Sequence, residues 1–344
     1  MTARDSAAGV AASFLEFRRY RADSPRPLEA GRQLLSRRMH GPSEALDCAS
    51  PALLAPTTPV FEEWLVRGEV HTERRGCLSY STDGDWLFGT ACVDDTALAG
   101  GLEAASLQAY AELFELLEGH GCPQLLRLWN YVAGINRPDG GLERYRHFNI
   151  GRQQAFLAAR RSAFDGAPAA CALGTEGGPL TVHFLAGRRS PRAIENPRQV
   201  SAYHYPSQYG PRSPTFSRAA VAELGPQREA LFISGTASIV GHATLHHGDV
   251  RRQTEETLAN IEAVLQAAAS HSRAGGQHRL DRLDYTVYVR DARDLPAVRE
   301  TLERSIGAQS PAAREAVYLR ADICRADLLV EIEAQHIVDT KDPA

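Results

Sequence analysis

Hydrophobic and polar positions alternate most clearly near the C-terminal end of the chain, over residues 321–334. Leu328, Val330 and Ile332 fall on one side of a strand, and Leu329, Glu331 and Glu333 on the other. Two carboxylates on one strand face are either a solvated surface or groups aimed into a pocket. Alternation alone allows both.

Upstream, residues 1–55 are rich in Ala, Arg, Ser and Pro without a clear period and read as an irregular lead-in. The pattern then predicts a strand over 86–93, introduced by the turn Asp83-Gly84-Asp85. An amphipathic helix follows over 102–118, striped by Leu107, Tyr110, Leu113, Phe114 and Leu117 and stopped by Gly119. A strand over 125–132 and helical spacing over 143–158 come next, and then a strand pair within 169–186, joined as a hairpin at the Gly-rich stretch 174–179. That order repeats about 150 residues later: strand 231–239, helix 254–268, strand 283–290, helix 295–306 and final strands within 316–334. The copies share Gly-Thr-Ala at Gly89 and Gly235, and Tyr-Val at Tyr131 and Tyr288. The offset is a domain length and not a solenoid period.

The chain therefore reads as α+β (α/β), with a lead-in over 1–55, a first domain over 56–195 and a homologous ββαβαβ-type second domain over 196–344. The boundary falls in the Pro-rich stretch 192–203. Aligning the ends of the copies sets His183 against Glu331 and Glu176 against Cys324. The domains thus differ where a pocket would be lined.

Composition narrows the function. A net charge of -4 over 344 residues argues against a nucleic-acid or anionic-membrane surface. No apolar run reaches the roughly 20 residues a membrane span needs. Asp5 interrupts the short apolar start and Arg18-Arg19 follow it, which argues against a signal peptide. The six cysteines (Cys48, Cys77, Cys92, Cys122, Cys171, Cys324) are scattered without CxxC pairs, as expected of free thiols in a reducing cytoplasm. His246-His247-Gly248-Asp249 has no third ligand at helical spacing and is read as the turn into the following helix, not a metal site. The glycines at 174–178 are not followed by a phosphate-loop Lys. No metal and no cofactor is expected.

The second copy, with Tyr209-Gly210-Pro211, Ser234-Gly235, Tyr288-Val289-Arg290 and Leu329-Val330-Glu331-Ile332-Glu333-Ala334, resembles the YjgF/RidA family. From about Val60 onward the chain resembles a chorismatase, which joins a divergent YjgF-like half to a more typical one. Trp129-Asn130-Tyr131-Val132, Tyr145-Arg146, Gly151-Arg152, His204-Tyr205-Pro206, Tyr209-Gly210-Pro211-Arg212, Gly241-His242, His246-His247-Gly248-Asp249 and the 322–333 run carry the match. The resemblance implies mixed sheets packed by helices, a small-molecule substrate, chorismate, and release of pyruvate without a cofactor. It also implies Glu331 as general acid/base, with Gly235 and Cys324 beside it. Gly and Cys at these positions go with 3-hydroxybenzoate formation by an intramolecular route that consumes no water, and Ala at both with hydrolysis to a dihydroxycyclohexadiene carboxylate.

Arg146, Arg152 and Arg212 are the candidate carboxylate clamps, since a guanidinium fork fits a carboxylate. Tyr205 and Tyr209 are candidate partners for a carboxylate or the ring hydroxyl, and Glu333 is expected to be structural. A chorismatase giving the hydrolysed diol or mixed 3- and 4-hydroxybenzoate, a RidA-like imine hydrolase, and a ligand-binding regulator are the alternatives. A cytoplasmic monomer or small homo-oligomer is expected.

Overall fold

The computed structural model describes residues 14–41 and 48–340. Apart from Phe14, the apolar start considered above lies outside them. In chain order the strands and helices are β1 (Glu16–Arg21), β2 (Gln33–His40), β3 (Ala52–Ala55), β4 (Val60–Val66), β5 (His71–Arg75), β6 (Leu78–Thr82), β7 (Trp86–Val93), α1 (Gly101–Gly119), β8 (Gln124–Ala133), the two-residue β9 (Pro138–Asp139) and β10 (Leu142–Glu143), α2 (Arg144–Ala158), β11 (Ala169–Thr175) and β12 (Leu180–Gly187). There follow β13 (Arg192–Ile194), β14 (Ala219–Gly225), β15 (Arg228–Ala237), the short β16 (Ile239–Val240) and β17 (Ala243–Thr244), α3 (Val250–Ala269), β18 (Asp284–Val289), α4 (Leu295–Ile306), α5 (Pro311–Glu315), β19 (Val317–Arg320) and β20 (Val330–Asp339).

A six-stranded sheet in the order β11-β8-β12-β7-β6-β5 forms the first copy, and a seven-stranded sheet in the order β13-β14-β15-β20-β18-β19-β3 the second. Each sheet rests one face on its own helices. Tyr110, Leu113 and Phe114 of α1 pack with Phe148 and Phe156 of α2, while Leu258, Ile261 and Leu265 of α3 pack with Val330 and Ile332 of β20. The opposite faces share one core containing Phe88, Trp129 and Tyr131 from the first sheet and Phe232 and Tyr288 from the second. Strand alternation thus turns Val330 and Ile332 toward helices, and Glu331 and Glu333 toward the layer between domains.

The structure corrects three expectations. The lead-in is not irregular where described: β1 and β2 flank β4 in a third sheet, and β3 completes the second-domain sheet by pairing with β19. These strands escape a search for apolar alternation because charge holds them. Arg18 and Arg19 lie opposite Glu63 and Glu62 in the β1–β4 register, and Arg37 and Arg38 face the same two glutamates from β2. Next, 169–186 is not a hairpin. β8 lies between β11 and β12, and β11 runs parallel to it. Finally, Cys48 and Cys92 are disulfide-bonded, leaving Cys77, Cys122, Cys171 and Cys324 free.

The register also shifts the internal alignment. Tyr131 pairs with Thr181 as Tyr288 pairs with Glu331. With the shared Tyr-Val taken as equivalent, Thr181 is the counterpart of Glu331, and His183, opposite Trp129, is that of Glu333. The His-His-Gly-Asp segment acts as the expected turn. Asp249 caps α3 by accepting from the Arg252 amide at 3.0 Å, and His246 takes a positive φ of 57°.

Helices α1 and α2 meet at Gly151, where a Cβ would collide with the Glu103 carbonyl and lie 2.9 Å from Ser106 Cβ. Gly151→Ala is expected to destabilise the fold by about 1–3 kcal/mol through overpacking and to weaken ligand binding, because the next residue, Arg152, faces the site. Chemical denaturation together with product affinity checks both.

Candidate active site

A cavity of about 230 Å³ opens between the domains. Its first-domain wall is the edge strand β11, with Ala170, Cys171 and Ala172, together with Glu143, Tyr145, Arg146 and Arg152 at α2. The second domain supplies Tyr205, Tyr209, Phe216, Arg218, Gly235, Cys324, Arg325 and Glu331. The seam is closed by hydrogen bonds. The Ser234 hydroxyl receives the Ala170 amide at 3.0 Å and donates to the Ser217 carbonyl at 2.5 Å.

Glu331 stands at the floor, 3 % exposed, paired across the sheet with Tyr288 and Ala237. Between Ile233 and Thr236, β15 carries one more residue than β20 does opposite, so Ser234 and Gly235 form a bulge beside Glu331. A Cβ on Gly235 would run into the Glu331 carboxylate and lie 3.0 Å from Cys171 Cβ. A glycine at this position leaves room for a substrate ring. The structure adds a more direct reason for it, room for the carboxylate itself.

Burial and the neighbouring charge of Glu333 push the Glu331 carboxyl up to about 8, against the opposing pull of Arg127 and Arg218. It is therefore largely protonated at neutral pH. Glu333 is held differently. Arg127 Nη2 donates to Oε2 at 2.5 Å, while Trp129 Nε1 and the Tyr288 hydroxyl donate to Oε1 at 3.1 and 3.0 Å. Two carboxylates two residues apart thus have different environments, one unclamped and one fixed by three donors.

Cys324 lies on the loop between β19 and β20, and Arg290 at the end of β18 holds that loop in place. Its guanidinium donates to the carbonyls of Leu328 (2.7 Å) and Arg325 (2.8 Å), and to Asp322 Oδ1 (2.6 Å) and Asn136 Oδ1 (3.0 Å). Burial, then the Glu331 charge, push the Cys324 thiol up to about 12, so it is neutral at neutral pH.

Four arginines line the cavity, each with a buried nitrogen lacking a hydrogen-bond partner among the described residues: Nε of Arg146, Arg152 and Arg218, and Nη2 of Arg325. Arg152 is 2 % and Arg218 4 % exposed. Arg152 Nη2 donates to the Thr215 carbonyl at 2.7 Å, and Arg218 Nη2 to the Tyr205 hydroxyl at 2.9 Å. Arg325 lies over the Tyr209 ring at 4.0 Å, and the Tyr209 hydroxyl donates to the His242 carbonyl at 2.7 Å. Buried cationic donors left open are the provision expected for an anionic ligand.

The structure therefore gathers Glu331, Cys324, Gly235, Arg146, Arg152, Tyr205 and Tyr209 around one cavity. It does not gather Arg212, which is exposed and off the cavity wall. Arg218, just before β14, stands on the cavity wall where Arg212 was expected. Glu143, Cys171 and Arg325 were missed as well. Proximity to Cys324 was the available signal for Arg325, whereas Arg218 has no distinguishing pattern in so Arg-rich a chain.

Comparison with known proteins agrees with this geometry. Residues 62–186 match the family described as Chorismatase FkbO/Hyg5-like, N-terminal, and residues 213–338 match Endoribonuclease L-PSP. A 3-hydroxybenzoate synthase of Streptomyces hygroscopicus is 41% identical over 292 residues, covering 82% of this chain and 83% of that protein. A chorismatase of Streptomyces rapamycinicus is 40% identical over 278 residues, 79% of this chain and 80% of its own. A solved chorismatase structure superposes with a TM-score of 0.80 at 33% identity, covering 95% of this chain and 99% of that one. The chain belongs to the chorismatase family.

Proposed function

We propose that the protein is a chorismate-converting lyase of the 3-hydroxybenzoate synthase type, releasing 3-hydroxybenzoate and pyruvate. The observation that carries this reading is a carboxyl held protonated near neutral pH at the floor of an arginine-ringed cavity, flanked by Gly235 and Cys324. Chorismate brings two carboxylates and an enol ether that is activated by protonation at its methylene carbon. Arginines from both domains hold the carboxylates, which fixes the substrate against Glu331 and leaves little room for a mobile water. Glu331 donates the proton that makes pyruvate a leaving group. Cys324, neutral, shapes the wall against which the ring rests.

A cytoplasmic location belongs to this proposal, because a doubly charged metabolite does not cross a membrane unaided. No helix among the described residues is long and apolar enough to cross one.

The test is a mass spectrum of products formed from chorismate in ¹⁸O-labelled water. Unlabelled 3-hydroxybenzoate with pyruvate is the expected outcome. A ring product heavier by one labelled water would keep the family and overturn the product. Gly235→Ala with Cys324→Ala is expected to move product toward the hydrolysed diol, because the new methyl displaces Glu331 and the lost thiol opens space for water. Product ratios unchanged in the double variant would refute the part given to these two residues.

A further inference from the structure

The cavity contains a second carboxylate that the chemistry above leaves unused. Glu143 stands at the N-cap of α2 and faces the cavity from the first domain. A carboxylate beside the seat of a dianion is repelled by it, so its presence calls for a favourable partner on the ligand. The protein satisfies Glu143 only in part. Oε1 accepts from Asn136 Nδ2 at 3.0 Å, and Arg146 Nε is 3.9 Å from Oε2. Asn136 Nδ2 also reaches the Ile323 carbonyl at 3.0 Å, so Glu143 is tied to the residue next to Cys324. An ionised carboxylate only accepts hydrogen bonds. Chorismate in its dianionic form has a single donor, the hydroxyl on ring carbon 4.

We propose that Glu143 receives that hydroxyl and acts as the base that takes its proton during turnover. The assignment rests on the reading in the preceding section. As Glu331 protonates the methylene carbon, the bond from ring carbon 3 to the ether oxygen breaks, and its electron pair becomes part of the pyruvate ketone. The ring hydroxyl oxygen bonds to carbon 3 and releases its proton to Glu143, giving a ring bridged by one oxygen. The bond from that oxygen to carbon 4 then breaks, Glu143 returns the proton to the oxygen, and the hydrogen on carbon 3 leaves as a proton to Glu331. The ring is aromatic, with its hydroxyl on carbon 3. Two protons leave the ring, one ends on the pyruvate methyl and one on the phenol, and both carboxyl groups recover their starting states. No water or redox partner is used.

Burial raises the Glu143 carboxyl above its ordinary value, opposed by the Asn136 hydrogen bond and by the charges of Arg146 on its own helix and Arg290 at the end of β18, while Asp327 on the loop before β20 adds to the rise. Cys324 on that loop faces it too. Glu143→Gln keeps the hydrogen bond to Asn136 and removes the base. Its kcat is expected to fall by about 10²-fold or more, with KM within about threefold and the acidic limb of the kcat–pH profile lost. Labelled diol should appear in ¹⁸O water as slower internal closure lets water compete. Glu143→Asp should keep the acidic limb and part of the rate, and affinity for 3-hydroxybenzoate reports an intact cavity in both variants. Native turnover matched by Glu143→Gln would overturn this assignment alone. So would a rise in KM at constant kcat, which would make Glu143 a support for Arg146. Chorismate left untouched by the native protein would overturn both this assignment and the reading it rests on.

Discussion

Glu331→Gln is expected to lower kcat by about 10²–10⁴-fold while leaving affinity for 3-hydroxybenzoate within about threefold. The amide fits the same space but cannot release a proton to carbon. In the native protein kcat/KM should fall as pH rises through about 8, because the proton-bearing form of Glu331 is then lost. The same group links to stability. Its folded-state value lies above the ordinary 4.5, so the stability it permits is complete below 4.5 and is lost as pH rises through about 8. The Gln variant should therefore show a flatter dependence of Tm on pH across that window. A variant with native kcat, or one whose Tm tracks pH as the native protein's does, would remove Glu331 from the role assigned here.

Arg127→Met carries the largest expected loss of stability, about 3–5 kcal/mol, because it leaves Glu333 charged and buried beside Glu331. Trp129 and Tyr288 still donate to Glu333, but neither neutralises it. Adding Glu333→Gln to Arg127→Met should recover part of the loss, since the orphaned charge goes with it. Urea denaturation of the two single variants and the double one measures this coupling. A double variant no more stable than Arg127→Met would show that packing by the Arg127 stem, not charge, holds the layer.

The strand period of residues 328–334 made the shared orientation of Glu331 and Glu333 legible, and the repeated order of elements made the two domains legible. The difference in chemistry between the two carboxylates was not, because it depends on Arg127, Trp129 and Tyr288, which come from other strands. Gly235 and Cys324 stood out through family resemblance, whereas the bulge that brings Gly235 against Glu331 is a property of β15–β20 pairing. Arg218 and Glu143 reach the cavity through docking of one domain on the other, a contact with no local periodicity. The Cys48–Cys92 bond joins residues 44 apart in sequence, with no spacing that separates them from the four free cysteines.

The pairing of β3 with β19 bears on how the protein comes into being. Residues 52–55 wait for partners at 317–320, so the second-domain sheet keeps an open edge until those residues have left the ribosome. Contacts so distant in sequence close slowly, and an unpaired edge meanwhile invites association with other chains. A C-terminal fragment beginning near β13 would keep Glu331 and Cys324 yet lack both the strand that covers its edge and the arginines at α2. It should be recovered mainly as aggregate, and the part of the chain before β13, with β3 included, should shift it toward soluble complex when supplied separately.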